Sequence, residues 1–256
     1  MPSARGVMAD NYMAGTITVI YEDDVLIGIN KPAGVLIHAS DKEAGGTVAD
    51  WATEHYPAIE GVGEPMRLAD GSVLARPGIV HRLDRETSGV VLIAKTQEMF
   101  AYLKHAFQAR EVSKTYNAFL YGVPHEHSGT ITASIGRSRN DFRKFSAERG
   151  ARGKLRDALT EYRVLETAGG FSFLEVRPKT GRTHQIRVHF KAIGHPVVCD
   201  RRYASARACA LGFTRLALHA RQLSLVMPSL VRLTLEAPLP EDFERALVLL
   251  DGMRAS

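Results

Sequence analysis

The chain has 256 residues, 45% of them hydrophobic and 24% charged, which is an average globular composition and excludes a disordered or fibrous polymer. Its 33 Lys and Arg against 28 Asp and Glu leave a net charge of +5, too little on its own to define a partner. No apolar run approaches the roughly 18 to 20 residues that cross a bilayer, and the first sixteen residues lack the apolar stretch of a signal peptide, so a cytoplasmic protein that engages no membrane is expected. Two cysteines, Cys199 and Cys209, are too few for a disulfide framework or a zinc ligand set.

In chain order, Ile17 to Tyr21 and Val25 to Asn30 read as two short strands, followed by the turn Lys31-Pro32-Ala33-Gly34. Thr47 is placed to cap a helix running to about His55, and Pro57 stands just beyond its end. Residues 57 to 78 are rich in glycine and proline and show no period, with Asp70-Gly71 suited to closing a small hairpin. Val90 to Ala94 is a buried-type strand. Thr96 then caps a helix whose Met99, Leu103, Ala106 and Phe107 make one apolar face. Val112 to Tyr121 is another strand, with Lys114, Tyr116, Ala118 and Leu120 alternating onto one side. Thr160 to Glu166 and Phe171 to Arg177 flank the hairpin signal Ala168-Gly169-Gly170. Thr183 opens a helix with Ile186, Phe190 and Ile193 on one face, closed by Gly194 ahead of Pro196. Strands from about Ala217 to Val226 and Val231 to Glu236, and a helix from Glu241, complete the chain. Strands outnumber helices and are joined largely by hairpins, which predicts an α+β fold with a mixed, mostly antiparallel sheet and helices packed on it.

The charge excess has an address. Residues 137 to 157 hold eight basic and three acidic side chains, which accounts for the whole +5 and leaves the rest of the chain balanced. Such a run reads either as a solvated loop or as a phosphate-binding arm. Two further clusters stand out. His81-Arg82-Leu83-Asp84-Arg85-Glu86-Thr87-Ser88-Gly89 precedes a buried strand, a common mounting for catalytic groups and equally the composition of a salt-bridged turn. Thr180-Gly181-Arg182-Thr183-His184-Gln185-Ile186-Arg187-Val188-His189 runs into a helix start, where Arg182 and the open amides suit a phosphate; the bland alternative is a capped surface helix. A metal reading of His184 and His189 fails, since five residues separate them and no third ligand is near. Tyr116 beside Lys114 is either core or a ring able to stack on a base.

Gly78-Ile79-Val80 with HRLDRETSG, Lys114-Thr115-Tyr116, PKTGRTHQIRVH from Pro178 to His189 and GHPVVCD from Gly194 to Asp200, all in one order, resemble the motifs of the RluA-type pseudouridine synthases. Asn30 to Gly34 and the tail at Leu218 to Ala220 and Glu236 to Pro240 resemble that family's two ends, so the likeness spans roughly residues 17 to 243. It implies an isomerase that detaches uracil from its ribose in folded ribosomal or transfer RNA, turns the base and rejoins it through a ring carbon. It needs no cofactor and no obligate protein partner. Asp84 matches the family's catalytic carboxylate, Arg187 the basic residue paired with it, and Tyr116 the ring that stacks on the target uracil. Arg82 matches the side chain that fills the gap left by the flipped base. Lys114, Arg182 and His184, together with Arg137, Arg139, Arg143 and Lys144 of the arm, are the expected RNA contacts. The implied layout is a flexible lead at 1–16 and one catalytic domain over 17–250, with 137–157 as its RNA-contacting arm. No separate RNA-binding module is expected before the first strand. Cys199 stands where the family more often has glycine.

Two other classes compete. One is a non-catalytic RNA-binding or ribosome-assembly factor; the other is a hydrolase using His81 and Asp84 as an acid–base pair, which lacks a marked nucleophile or metal.

Overall fold

The computed structural model describes residues 10–12, 15–39, 46–67, 71, 73–74, 76–141 and 143–254. By its internal contacts the chain divides into two compact units, Met1–Val112 with Gln222–Ala237, and Ser113–Arg221 with Pro238–Ser256.

In the first unit, β1 (Asp10–Tyr12) folds back on β2 (Gly15–Glu22), within the segment read as a lead. Next come β3 (Leu26–Lys31), α1 (Val48–His55), the short pair β4 (Met66–Arg67) and β5 (Val73–Leu74), β6 (Ser88–Ala94) and α2 (Gln97–Ala109). β3 lies between β2 and β6, antiparallel to both, with Ile29 opposite Val19 on one side and Val91 on the other. Every residue of β6 is buried, so its unbroken apolar run marks a strand covered on both faces. Against it packs α2, whose buried face is Met99, Phe100, Leu103 and Ala106 and whose first turn is held by the Thr96 side chain accepting from Met99 N. Thr47 caps α1 as its position predicts, and Asp50 returns the bond to the Thr47 amide, a reciprocal cap worth about 1 kcal/mol. β4 and β5 form a hairpin in the region expected to hold one; Asp70 lies outside the described residues.

The second unit holds β7 (Ser113–Tyr121), β8 (Ser128–Thr132), β9 (Ile135–Ser138), β10 (Phe145–Ala147), β11 (Ala151–Arg156), β12 (Leu159–Ala168), β13 (Phe171–Pro178) and α3 (Gln185–Ala192). β13 pairs with β7 and β12, and β12 pairs with β8, all antiparallel. The β12–β13 turn places Gly169 and Gly170 at φ 55° and 78°, the left-handed pair that a two-residue hairpin demands. Phe119, Phe173, Phe213 and Phe243 form the aromatic centre of the core, the last of these carried on α4 (Glu241–Gly252). β14 (Leu218–Val226) begins in this unit and continues into the first, where it pairs with β15 (Arg232–Glu236).

Fifteen strands and four α-helices among the described residues make the α+β class that the hairpin-linked pattern implies. α3 departs from expectation at both ends. It begins at Gln185 rather than Thr183, with His184 outside it in a left-handed conformation. It ends before Ile193, which is 38% exposed and belongs to no apolar face. The basic segment also differs from a loop, since β9, β10 and β11 make a small antiparallel sheet of their own.

Candidate active site

Asp84 sits on a turn that the first unit holds from behind. The Asp84 carbonyl accepts from Thr87 N at 3.1 Å, closing the turn, and the fully buried β6 begins at the next residue. Beneath it lies Lys31, with no solvent exposure, whose Nζ donates to the carbonyls of Pro32, Val35 and Arg85 at 2.8, 2.8 and 3.1 Å. Burying an ammonium is tolerable only when its donors are satisfied, and these three carbonyls do that while fixing the backbone next to Asp84. Gly34 completes the clamp: its N donates to Arg85 O and its carbonyl accepts from Arg85 Nε. The motif residue Gly78 has φ 64°, and a side-chain carbon there would collide with the Ala94 carbonyl, so only glycine lets this segment lie against the end of β6.

His81 has a structural duty. Its Nε2 accepts from Leu92 N at 2.8 Å and its ring stacks on Phe107 at 4.6 Å, so one nitrogen of the imidazole required by an acid–base hydrolase is spent on strand backbone.

In the second unit, Arg187 lies on α3, nine-tenths buried, and donates from Nε and Nη2 to both oxygens of the fully buried Asp200 at 2.8 Å each. Asp200 also accepts from the amides of Arg202 and Tyr203 at 3.0 Å, so a planar guanidinium is held in one orientation by a planar acceptor that is itself fixed. The Tyr203 ring lies 5.0 Å under the Arg187 guanidinium, and its hydroxyl shares a hydrogen bond with His184 Nδ1 at 2.8 Å while accepting from Phe145 N at 3.1 Å. Burial pushes the Tyr203 phenol up, which keeps it a neutral hydroxyl. One tyrosine thus joins the helix start, the Arg187 pair and strand β10 of the basic arm.

The Thr180–Gln185 turn is locked by a residue with no role in the sequence reading. Gln185, 4% exposed, accepts at Oε1 from Thr180 Oγ1 and Arg182 N and donates from Nε2 to Leu159 O and Thr160 Oγ1. His189 Nε2 donates to Ala133 O at 3.0 Å, which leaves Nδ1 to accept from Thr160 Oγ1 at 2.9 Å; burial holds its pKa below the usual histidine value. The two cysteines expected to make no disulfide framework form a single bridge, with Cα atoms 4.4 Å apart. Cys199 has φ 56°, the left-handed geometry that glycine adopts at no cost, which accounts physically for glycine at the corresponding place in similar motifs.

The arm builds a pocket of about 970 Å³ lined by Arg137, Arg143, Arg152, Lys154, Arg156 and Arg182 with no acidic residue. Arg152, Lys154 and Arg156 lie on β11; from sequence they count toward the basic arm but are not named as contacts, although their spacing of two in a strand is the signal that finds them. Two expected contacts are engaged elsewhere: Arg139 Nε donates to Ala151 O at 2.8 Å, and Lys144 lies 3.9 Å from Asp141. Arg143 lines the pocket while also pairing with Asp141 at 3.1 Å, which holds that carboxyl below its usual range. Arg182 Nε donates to Asp157 O at 3.0 Å. Tyr116 and Lys114 lie on β7, Tyr116 opposite Val176 and packed against the core. Asp84 and Arg82 therefore belong to the first unit, and Tyr116, Lys114, Arg182, His184, Arg187 and the arm to the second.

Residues 25–192 match the family model described as RNA pseudouridylate synthase. A protein of Synechocystis described as an uncharacterized RNA pseudouridine synthase is 40% identical over 91% of this chain and 69% of its own length. The ribosomal large subunit pseudouridine synthase D of Pseudomonas aeruginosa is 38% identical over 91% of this chain and 72% of its own. The solved human RNA pseudouridylate synthase domain containing 4 superposes with a TM-score of 0.70 at 26% identity, covering 91% of this chain and 92% of that one. The chain belongs to the RNA pseudouridine synthase family and is an enzyme that isomerises uridine in RNA.

Proposed function

We propose that this enzyme modifies uridines in loops or bulges of structured ribosomal or transfer RNA, with Asp84 as its catalytic carboxylate. The reaction breaks the bond from uracil N1 to the sugar, rotates the free base and joins ring carbon 5 to the same sugar carbon, releasing the carbon 5 proton. Nothing is oxidised or hydrolysed overall, and a carboxylate acting on the sugar supplies the required nucleophile or base. The target base must first leave its stack, at about a few kcal/mol, so unpaired uridines are the economical substrates. In this reading Tyr116 stacks on the uracil, Arg82 fills the space it leaves, and Arg187 supplies a fixed positive charge. Lys114, Arg182 and His184 contact the RNA, and the arm grips its phosphates.

The observation that carries the reading is the mounting of Asp84. Its turn is clamped by a fully buried lysine at one side and opens directly into a fully buried strand at the other, which is how a group that must be placed to within a fraction of an ångström is held. The test is to map pseudouridine across total RNA from cells with and without this gene, and to complement the deletion with Asp84→Asn. Wild type restores the missing sites. Asp84→Asn leaves them unmodified, with turnover down by about a thousandfold or more and RNA binding retained. Restoration by Asp84→Asn rejects Asp84 as the catalytic carboxylate, and RNA binding without tritium release from uridine labelled at carbon 5 by wild type rejects the enzyme in favour of a binding factor.

A further inference from the structure

Among the described residues three buried side-chain polar atoms have no hydrogen-bond partner, namely His38 Nδ1, Arg76 Nε and Thr87 Oγ1, and all three belong to the first unit. A buried donor or acceptor left unmade costs about 1 to 3 kcal/mol, and the Arg76 charge acts on His38, so these two groups call for a shared partner. The surroundings say what charge that partner carries. Arg76 and Arg82 repel one another, and neither guanidinium has an acidic partner among the described residues. Both also act on the His38 imidazole, which burial and these two charges push down to about 4 against the weaker opposing pull of Asp50. The three groups hang on segments tied to the Asp84 turn. The His38 segment follows Gly34, whose backbone is bonded in both directions to Arg85, while the Arg76 segment enters Gly78 and the HRLD motif.

We propose that His38 and Arg76, in the positive field of Arg82, form an anion site that receives a backbone phosphate of the RNA next to the target uridine. This rests on the RNA reading above and adds to it a grip in the first unit, beside the Asp84 turn. A phosphodiester supplies the acceptor oxygens that Arg76 Nε lacks, relieves the repulsion between the two guanidinium groups, and favours a proton on His38, which then donates from both ring nitrogens. Binding therefore takes up a proton, and affinity rises as the pH falls through the raised His38 value toward about 4.

The experiment follows the His38 ring by NMR over a pH titration of the full chain, alone, with inorganic phosphate and with a uridine-loop RNA hairpin. The hairpin is expected to raise the His38 pKa by at least about one unit. In Arg76→Gln the free His38 pKa rises, the further rise on adding RNA is lost, hairpin affinity falls about tenfold, and the salt slope drops by about one. Arg76→Gln is expected to melt no lower than wild type, because it removes an unpaired cation. An unmoved His38 titration with RNA overturns the proposal, as does unchanged affinity and slope in Arg76→Gln. A response to inorganic phosphate but not to RNA overturns the commitment to an RNA phosphate. A merely structural role for Arg76 predicts a lower melting temperature with no change in the His38 response. Tritium release from total RNA by the same wild-type preparation tests the parent reading separately, so failure of one is distinguishable from failure of the other.

Discussion

The Asp84 turn and the basic arm solve opposite problems. Around Asp84 one buried cation is spent on three carbonyls, glycine is forced at Gly78, and the strand that follows is wholly inside. In the arm, four arginines and a lysine line an open pocket, with Arg182 joining them from the turn before α3, and the strands β9 and β11 that carry most of them are short. The first arrangement fixes position at the expense of adaptability. The second gathers charge and leaves geometry to the ligand, as suits a backbone whose phosphates are identical at every nucleotide. Within the second unit Tyr203 ties the arm to a fixed group, meeting Phe145 N on one side and the Arg187 guanidinium on the other.

If rigidity at the buried groups is what matters, the most damaging change short of Asp84 itself is Asp200→Ala. It strands the Arg187 guanidinium and is expected to cost about 3 to 5 kcal/mol in a denaturant titration, with uridine isomerisation lost in whatever fraction folds. Lys31→Met keeps the stem and removes the charge. It leaves three carbonyls short of a donor at about 3 kcal/mol in total, and should lower the melting temperature by several degrees, while Lys31→Arg recovers only part of this. Replacing Arg152, Lys154 and Arg156 together with alanine should shift stability by less than about 1 kcal/mol, yet weaken RNA binding and reduce its salt slope by about 2 to 3. An unchanged slope would end the contrast between a positioning region and a gripping region. The smallest effect is proton-linked. The unfolded chain protonates His38 near 6.5 and the folded chain only near 4, so stability present above 6.5 declines as the pH falls toward 4, by about 1 to 2 kcal/mol after allowing for partial exposure. His38→Gln should flatten that slope in thermal melts taken across the window.

The elements set by local chemistry follow from the sequence. Thr47 and Thr96 cap the helices they are placed to cap, the paired glycines at 169 and 170 turn the hairpin they signal, and the apolar run at Val90 to Ala94 is the buried strand. What the sequence conceals depends on partners distant along the chain. Lys31 reads as a turn residue until Arg85, 54 positions on, appears as its acceptor. Gln185 reads as an ordinary helix polar group until β12 supplies Leu159 and Thr160. The same limit explains the misplaced start of α3. Thr183 has the chemistry of a cap, but the Gln185 side chain takes the Arg182 amide and leaves His184 in the left-handed turn before the helix. The motifs name candidate site residues by type and order. Asp200 closes one of those motifs, but its pairing with Arg187 and the part played by Tyr203 are not legible in it, because an acid and an aromatic ring on a loop are common without a buried arginine to meet.

The register of the arm sheet has its own outcome. Arg152 of β11 stands directly across from Arg137 of β9, two positive charges paired where a stable ladder favours opposite signs or apolar contact. The Phe145 ring 4.5 Å from the Arg137 guanidinium offsets part of that repulsion. A sheet this small, with like charges facing, is expected to open readily when alone, so its amides should exchange with solvent well before those of β6. A polyanion in the pocket reverses the sign of that interaction. If the arm grips RNA as proposed, it is expected to act as a folding equilibrium coupled to its ligand, with part of the binding free energy read as slowed amide exchange along β9 and β11.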